Sequence, residues 1–392
     1  MSKCPLCFSD LDPTRARFHC ANSECSEEST AEPLAEAYLG NKFTVKQHRE
    51  EVRPSDFRGT WRPSGDQFCT SCGHEMERAC TVCRYQIPQD IGESDVTCVA
   101  LAGARATGKS VSIGVMRLFL EKLIEELRSS LNFEQRYSRT DEREEYIEQI
   151  LTGNIYPPTP PGTARSVMYS LGQIGGKRRY LAIRDIAGED LEVNSSRINL
   201  SFLGRADLII FLFDPLAIRS IRDALENLIP PQERPSAEQE PQRVLQNVLR
   251  YIGSGRPHLA VCLAKVDALQ TLAGHNNPIS PVFANPGTTL VRESTQRTQG
   301  AGPGYDVDAA ELLSEEVRST LMLLNGTVIV NMVENPANKT VLPHRFFATS
   351  ALGDAANGQV LPPRGITPFR VLDPLLWIFH KKGIIPAIVS AR

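Results

Sequence analysis

The chain changes its pattern of hydrophobic and polar positions near Asp95. From there on, short apolar runs alternate with longer segments in which apolar residues recur at helical spacing. This alternation is typical of α/β proteins with a mostly parallel sheet. It predicts strands near 96–102, 166–172, 179–184, 207–213, 258–264 and 344–348, and helices near 110–130, 216–228, 241–252, 308–325 and 368–381.

Three stretches rich in proline and glycine interrupt this alternation, at 153–163, 229–241 and 274–306. Because proline lacks a backbone donor and glycine weakens regular structure, we expect long loops on the rim of the sheet. Loops of this length are commonly functional or disordered. One enlarged α/β domain over 95–385 accommodates them, and a cysteine-rich head over 1–90 precedes it.

The composition narrows the class of protein. Of the 392 residues, 41% are hydrophobic and 23% charged, as in an ordinary globular protein. The 43 Lys and Arg against 46 Asp and Glu give a net charge of −3, so charge does not favour nucleic acid as a partner. No run of about 18 apolar residues predicts a membrane span. Since the first residues, MSKCPLCFSD, lack the apolar core of a signal peptide, we expect a cytoplasmic protein without membrane contact.

Eight of the ten cysteines lie in four closely spaced pairs in the first 83 residues. The pairs are Cys4/Cys7, Cys20/Cys25, Cys69/Cys72 and Cys80/Cys83. Because two such pairs can close a tetrahedral zinc site, they predict two Zn²⁺ sites. In chain order the first two pairs form one site and the last two the other, but pairing across the halves stays open. His19 could replace a cysteine of the first site, and Gly73 provides the permissive backbone that a metal-binding turn needs.

The head resembles a double zinc ribbon with an insert at 26–68. Such a small module has little core of its own, so bound metal would stabilise it. We expect it to dock a protein partner as well. The two remaining cysteines, Cys98 and Cys262, lie in apolar runs, which predicts buried thiols.

A phosphate-binding loop follows the first strand of the α/β part. In Gly103-x4-Gly108-Lys109-Ser110, glycines let backbone N–H groups surround phosphates at the start of a helix. Lys109 would reach the β- and γ-phosphates, and the Ser110 hydroxyl would bind Mg²⁺. The predicted nucleotide contacts are Gly103, Ala106, Thr107, Gly108, Lys109, Ser110 and Val111.

Four further motifs follow in chain order. They contain Thr163 in PPTPPGT, Asp185 and Gly188 in RDIAG, Lys265 and Asp267 in AKVD, and Ser350 and Ala351 in TSALG. With the phosphate loop, they make residues 95–385 resemble a P-loop GTPase of the Ras-like, translation-factor-related (TRAFAC) class. The resemblance implies a three-layer P-loop NTPase fold that binds GTP or GDP together with Mg²⁺.

The resemblance also assigns roles around the phosphates. It implies that Thr163, or Thr159 as its alternative, binds Mg²⁺ and senses the γ-phosphate. Asp185 would hold Mg²⁺ through water, and the Gly188 N–H would contact the γ-phosphate. Residues 153–165 and 186–200 would then be the two switch segments.

The last two motifs concern the base. A carboxylate at Asp267 can accept hydrogen bonds from guanine N1–H and N2–H₂, which adenine does not offer. The resemblance places Lys265 beside it and implies that the Ser350–Ala351 loop contacts guanine O6. Ala264 stands where the family has Asn or Thr, which predicts weakened affinity.

Other departures concern catalysis and the strands. Glu189 replaces the family's water-orienting glutamine, so it would either activate water or repel the γ-phosphate. Arg105, inside the phosphate loop, is either a built-in arginine finger held by Glu189 or a side chain that points to solvent. Arg184 is unusual for a buried strand and indicates a surface that the cysteine head covers.

The expected function is that of a GTP-binding switch that slowly hydrolyses GTP to GDP. An unidentified protein partner would bind through the zinc ribbons and switch loops. The layout is similar to zinc-ribbon GTPases such as the double-GTPase 2 group of bacterial conflict systems, which implies antiviral defence. Three alternatives stay open: a P-loop ATPase, a hydrolysis-dead nucleotide-sensing scaffold, and a zinc-ribbon nucleic-acid adaptor.

Overall fold

The computed structural model describes thirteen ranges of the chain. These are 2–59, 61–63, 67–129, 132–133, 160–162, 164–192, 198–218, 221–223, 240–270, 279–291, 296–299, 302–354 and 365–388.

The strands in these ranges form one large sheet and three small ones. They are β1 (Arg15–His19), β2 (Thr30–Ala31), β3 (Thr44–Val45), β4 (His48–Val52), β5 (Glu77–Ala79), β6 (Asp95–Ala102), β7 (Asn132–Phe133), β8 (Ala164–Ile174), β9 (Lys177–Ile186), β10 (Leu208–Phe213), β11 (His258–Leu263), β12 (Gln296–Gln299), β13 (Gly302–Asp306), β14 (His344–Ala348) and β15 (Ala387–Ile388).

The described helices range from one turn to five. They are α1 (Pro33–Leu39), α2 (Lys109–Glu126), α3 (Gly188–Glu192), α4 (Pro241–Ile252), α5 (Val266–Gln270), α6 (Ser280–Ala284), α7 (Val307–Leu323), α8 (Thr327–Glu334) and α9 (Asp373–Lys381).

The large sheet has the strand order β14-β11-β10-β6-β9-β8-β7. The strands from β14 to β9 are parallel, whereas β8 and β7 are antiparallel to their neighbours. Every residue of β10 is buried, as expected when both faces of a parallel sheet are covered. The predicted α/β fold with a mostly parallel sheet is therefore confirmed.

Most predicted elements agree with the structure to within a few residues. The predicted helix near 368–381 begins only at Asp373, because Phe369 pairs with Ser350 in a β-bridge. The predicted loop at 274–306 is wrong in part. It contains α6, β12 and β13, and β13 finds backbone partners in both β12 and β15. The predicted helix near 216–228 and the other two predicted loops lie largely outside the described residues, although a 3₁₀ turn occupies Pro215–Ala217.

The head forms a small sheet of order β4-β1-β5. The insert at 26–68 is folded together with the rest of the head. It supplies the edge strand β4 of the small sheet and the helix α1. Side chains from the head pack into the same hydrophobic core as the large sheet, among them Leu6, Phe8 and Leu39. Both buried thiols predicted outside the head, Cys98 and Cys262, are fully buried.

Candidate nucleotide site and cysteine clusters

The predicted nucleotide-binding motifs meet at one edge of the large sheet. β6 runs into the phosphate loop, β9 carries Asp185 near its end, and Lys265 and Ser350 follow β11 and β14. These four strands are parallel, so their carboxyl ends face the same way. Strand order also reverses at β6, because the chain continues to β8 and β9 on one side and later to β10 on the other. Ligands of open α/β sheets bind at such a reversal point.

The phosphate loop has the backbone shape that its glycines predict. Gly103 has φ +152°, and a Cβ there would lie 2.2 Å from the Leu212 carbonyl oxygen. Gly108 has φ +84° and caps the start of α2. Ala106 also lies in the left-handed region, with φ +57°. The loop therefore turns sharply between the strand and the helix and directs N–H groups of the first helical turn outward.

The Lys109 side chain crosses the loop rather than pointing to solvent. It is 7% exposed, and its Nζ donates hydrogen bonds of 2.8 Å to the Gly103 and Ala104 carbonyl oxygens. Burial lowers the pKa of Lys109, while the nearby Asp185 carboxylate opposes this shift. Thr107 Oγ1 also donates to the Ala104 carbonyl, at 3.0 Å. These bonds hold a cation at the centre of the loop.

Ser110 and Asp185 lie together beside this cation. Ser110 Oγ donates to Asp185 Oδ2 at 2.8 Å, and Asp185 is almost fully buried. Hydroxyl and carboxylate oxygens suit Mg²⁺. The structure thus joins two residues that are 75 positions apart and that the sequence assigns to one ion.

Helix α3 packs directly against the phosphate loop. A Cβ at Gly188 would lie 2.4 Å from the Arg105 nitrogen, so only glycine fits there. Arg105 Nε forms an ion pair of 2.9 Å with Glu189, and the Arg105 N–H donates to Glu192 Oε1 at 3.0 Å. The expected Arg105–Glu189 contact is therefore present, with Arg105 58% exposed. Its catalytic role stays a prediction.

The predicted switch threonine and its alternative, Thr163 and Thr159, lie outside the described residues. Gly162, just before Thr163, is described. Its N–H donates to Asp190 Oδ2 of α3 at 2.8 Å. The end of the first predicted switch segment is thus bonded to the start of the second.

The two predicted base-binding loops are also neighbours. The Val266 N–H donates to the Thr349 carbonyl at 3.2 Å, and the Thr349 N–H donates to the Leu263 carbonyl at 2.8 Å. Asp267 lies in the first turn of α5. Lys265, with φ +52°, forms an ion pair of 3.0 Å with Asp214. Asp214 was not predicted as a site residue, although it directly follows the apolar run LIIFLF.

The eight paired cysteines form two clusters, each of four. The inner cysteine cluster contains Cys4, Cys7, Cys80 and Cys83, and the outer cysteine cluster contains Cys20, Cys25, Cys69 and Cys72. Pairing in chain order was therefore wrong, and pairing across the two halves is observed. The reason is the antiparallel alignment of β1 and β5, which places the start of each strand beside the end of the other. The alternative ligand His19 belongs to neither cluster. It packs edge-on against Phe43, and burial lowers its pKa to about 4.

Both clusters fit a tetrahedral zinc ion. Zn–S bonds of about 2.3 Å give tetrahedral edges of about 3.8 Å between sulfurs. The Sγ–Sγ distances between Cys4 and Cys83 and between Cys7 and Cys80 are 3.6 and 3.8 Å, and those between Cys20 and Cys72 and between Cys25 and Cys69 are 3.7 and 3.8 Å. None of these eight cysteines forms a disulfide. Burial raises the pKa of Cys4 and of Cys83, so thiolates at these positions need a cation nearby.

Three of the four cysteine pairs share one turn geometry. The residue after the second cysteine has φ +59° at Phe8, +66° at Gly73 and +63° at Arg84. In the inner cluster, the N–H groups of Leu6 and Val82 also donate to cysteine sulfurs at 3.4 Å. Gly73 thus occupies the conformation expected of it, but Phe8 and Arg84 show that this turn accepts other side chains.

Arg184 joins the inner cysteine cluster to the large sheet. It is fully buried, and its Nη1 donates to the Leu6 carbonyl at 2.7 Å, between Cys4 and Cys7. Its Nη2 donates to the Tyr38 carbonyl at 2.6 Å, and the guanidinium lies 3.8 Å from the centre of the Phe202 ring. Burial lowers the pKa of Arg184 to about 10, while the nearby cysteines oppose the shift. The expectation that the head covers Arg184 is met.

The fold and sites define an α/β protein with two four-cysteine clusters that suggest bound zinc. Among the described residues, no helix has the length and apolarity to cross a bilayer. Comparison with known family models gives no match. In an alignment 398 positions long, the chain is 34% identical to a Mycolicibacterium smegmatis protein provisionally named ESX-1 scaffolding and assembly protein SaeC. The alignment covers 98% of this chain and 100% of that protein, so the chain belongs to the SaeC family.

Proposed function

We propose that this chain is a GTP-binding scaffold protein whose nucleotide site controls its contacts with partner proteins. The observation that carries the proposal is the phosphate loop, with Lys109 held inside it and Ser110 bonded to Asp185. The loop backbone and the start of α2 provide N–H groups, and Lys109 provides positive charge. Together these groups suit a nucleoside triphosphate.

Magnesium fits the same edge of the sheet. The Ser110 hydroxyl and the Asp185 carboxylate would hold it, with Thr163 or Thr159 as a further ligand. When bound, Mg²⁺ would supply positive charge opposite the phosphate oxygens. The Gly188 N–H lies where α3 meets the loop, which supports its proposed contact with the γ-phosphate.

Guanine is the proposed base. Asp267 would accept hydrogen bonds from guanine, while Lys265 and the Ser350–Ala351 loop would line the base site. Two backbone hydrogen bonds that join Thr349 to the β11 side support this arrangement. ATP is the alternative ligand, since the phosphate loop itself does not select a base.

Hydrolysis is proposed to be slow. Glu189, at the water-orienting position, is ion-paired with Arg105 at 2.9 Å. The pair supports two alternatives for Arg105: a built-in arginine finger that Glu189 holds, or a side chain that points to solvent and takes no part in hydrolysis. Single-turnover hydrolysis by Arg105→Ala distinguishes them. A loss of about 100-fold or more with intact binding supports the finger. Unchanged hydrolysis removes it. Absence of hydrolysis by the unchanged protein would instead favour a nucleotide-binding scaffold without turnover.

Protein partners are proposed from the relative and from the head. The relative's name is that of an ESX-1 scaffolding and assembly protein, which favours a scaffolding role over bacterial defence. The division into a double zinc-ribbon head at 1–90 and a GTPase domain at 95–385 is part of the same proposal. The outer cysteine cluster, with the exposed Phe68 directly before Cys69, is the proposed docking region.

Equilibrium binding of Mg²⁺–GTP and Mg²⁺–ATP to the purified protein tests the central proposal. We expect GTP to bind about tenfold or more tightly than ATP, and Asp267→Ala to abolish that preference. Asp308→Ala, which changes an exposed carboxylate at the start of α7, is the matched control. Equal affinity for GTP and ATP overturns the guanine assignment. If neither nucleotide binds, the proposed function is wrong.

A further inference from the structure

Helix α1 of the head insert touches both segments that flank the proposed nucleotide site. The Asn199 N–H donates to the Ala37 carbonyl at 2.7 Å. The Tyr38 hydroxyl accepts from Arg205 Nη2 at 2.9 Å and contacts Ser201 Oγ at 3.2 Å. These contacts fix α1 to the stretch that follows α3.

The end of α1 also meets the segment that precedes Thr163. Gly40 caps α1 with φ +72°, and a Cβ there would lie 1.8 Å from the Gly162 carbonyl oxygen and 2.8 Å from Ile198. Gly162 in turn bonds to Asp190 of α3. Gly40 of the head therefore lies against the Gly162 backbone on one side of the proposed nucleotide site and against the Ile198 side chain on the other.

Arg184 provides a second route from the head. It donates to Leu6 in the inner cysteine cluster and to Tyr38 in α1. The next residue is Asp185, which bonds to Ser110. Because Arg184 and Asp185 are consecutive in β9, any shift of the head against Arg184 acts on the backbone of the proposed Mg²⁺ ligand.

We infer that α1 and Arg184 are positioning elements of the nucleotide site, so that the head and the bound nucleotide influence each other. The inference rests on the proposed function. Coupling between two binding regions is reciprocal. Bound GTP therefore stabilises α1 against opening, and a displaced α1 weakens GTP binding.

Gly40→Ala tests the α1 contact. The added methyl group meets Gly162, so we expect GTP affinity to fall about fivefold or more. The matched control is Gly175→Ala in the β8–β9 turn. Its φ of +62° imposes the same backbone strain, but a Cβ there meets nothing within 4 Å. We expect this control to retain the affinity of the unchanged protein.

Arg184→Lys tests the second route, with the Mg²⁺ dependence of GTP binding as the readout. Lysine keeps the charge but cannot donate to Leu6 and Tyr38 in the same fork geometry. We expect the Mg²⁺ concentration for half-maximal GTP binding to rise about fivefold. Arg179→Lys is the control, since Arg179 is buried in the same strand but pairs with Asp95 at the opposite end.

The effect of the nucleotide on α1 is measured by hydrogen exchange of the backbone amides in 33–40, with and without GTP and Mg²⁺. Slower exchange on GTP binding, together with the two variant effects, supports the inference. If the unchanged protein binds GTP but exchange in α1 is unaltered and Gly40→Ala binds as Gly175→Ala does, the coupling is wrong while the proposed function stands. Absence of GTP binding by the unchanged protein overturns both.

Discussion

The two cysteine clusters have the same four-thiol chemistry but occupy different environments. All four cysteines of the inner cluster are 0% exposed, and they belong to the hydrophobic core of the large sheet. The outer cluster belongs to a separate small core with Ala16, Phe18 and Met76, and its Cys72 is partly exposed. The inner cluster is therefore part of the main fold, whereas the outer one stabilises only the tip of the head.

This difference indicates a division of roles within one small module. The Leu6 carbonyl, between two cysteines of the inner cluster, accepts from Arg184, which also donates to Tyr38 of α1. Arg184 and α1 both reach the proposed nucleotide site. The outer cluster has the large, half-exposed side chain of Phe68 directly before its Cys69. Cysteine pairs that look alike in the sequence thus form two different clusters. The inner one attaches the head to the large sheet, and the outer one lies beside an accessible surface.

The largest expected difference between the clusters concerns stability. Cys7→Ser should lower the free energy of unfolding by about 4 kcal/mol or more, because losing the inner metal leaves polar groups in the main core. Cys25→Ser should cost about 1 kcal/mol, because the outer tip can open locally while the large sheet stays folded. Denaturant unfolding, followed by far-UV circular dichroism, measures both.

Metal content provides the control for this pair of variants. We expect two zinc ions per unchanged chain, one per cluster. Each single variant should lose the ion of its own cluster. Equal destabilisation by Cys7→Ser and Cys25→Ser would contradict the distinction between an anchored cluster and a peripheral one.

Smaller effects on stability are expected from two buried arginines, Arg184 in β9 and Arg17 in β1. Arg184→Met leaves two buried carbonyls, of Leu6 and Tyr38, without their donor, which should cost about 3 kcal/mol. Arg17→Met should cost about 1 kcal/mol, because Glu32 retains Arg84 at 3.1 Å and Glu50 is half exposed. Urea midpoints of the two variants are the measurement. A larger loss for Arg17→Met than for Arg184→Met would show that ion pairs within the head contribute more to folding than the contacts of the head with the large sheet.

The sequence predicted the large sheet and the location of its motifs well. Continuous apolar runs such as LIIFLF specify buried parallel strands, and the phosphate loop predicts a turn between strand and helix that is observed. The short spacing within each cysteine pair predicted the eight cluster residues. It could not predict which pairs combine, because that depends on how β1 and β5 align in space.

The contact between the head and the edge of the sheet that carries the proposed nucleotide site was predictable only in part. Arg184 stood out as a charge within a buried strand, but its acceptors are backbone carbonyls, and every residue type carries these. Helix α1 was missed because its seven residues, PLAEAYL, are too short for a periodic signal. The Arg105–Glu189 pair was expected from motif positions, whereas Gly40 against Gly162 is a close approach that only three-dimensional structure shows.

The hydroxyl of Tyr38 should contribute less than Arg184 to holding the inner side of the head. Tyr38→Phe keeps the ring but removes the contacts with Arg205 and Ser201, which predicts a loss of about 1 kcal/mol. A double-mutant cycle with Ser201→Ala, measured by urea unfolding, isolates the shared hydrogen bond. Additive losses would show that the Tyr38–Ser201 contact contributes nothing by itself.

The smallest effect on stability is expected at the outer surface. Phe68 is 51% exposed, so Phe68→Ser removes little buried area and should change the free energy of unfolding by less than about 0.5 kcal/mol. Affinity purification of the full chain then separates stability from binding, with Leu312→Ser, at a 49% exposed position on α7, as the control. If the outer surface docks a protein, a partner retained in equimolar amounts by Leu312→Ser should be lost by Phe68→Ser. Retention by both variants would exclude this surface, and a large loss of stability in Phe68→Ser would place that side chain in the fold rather than in an interface.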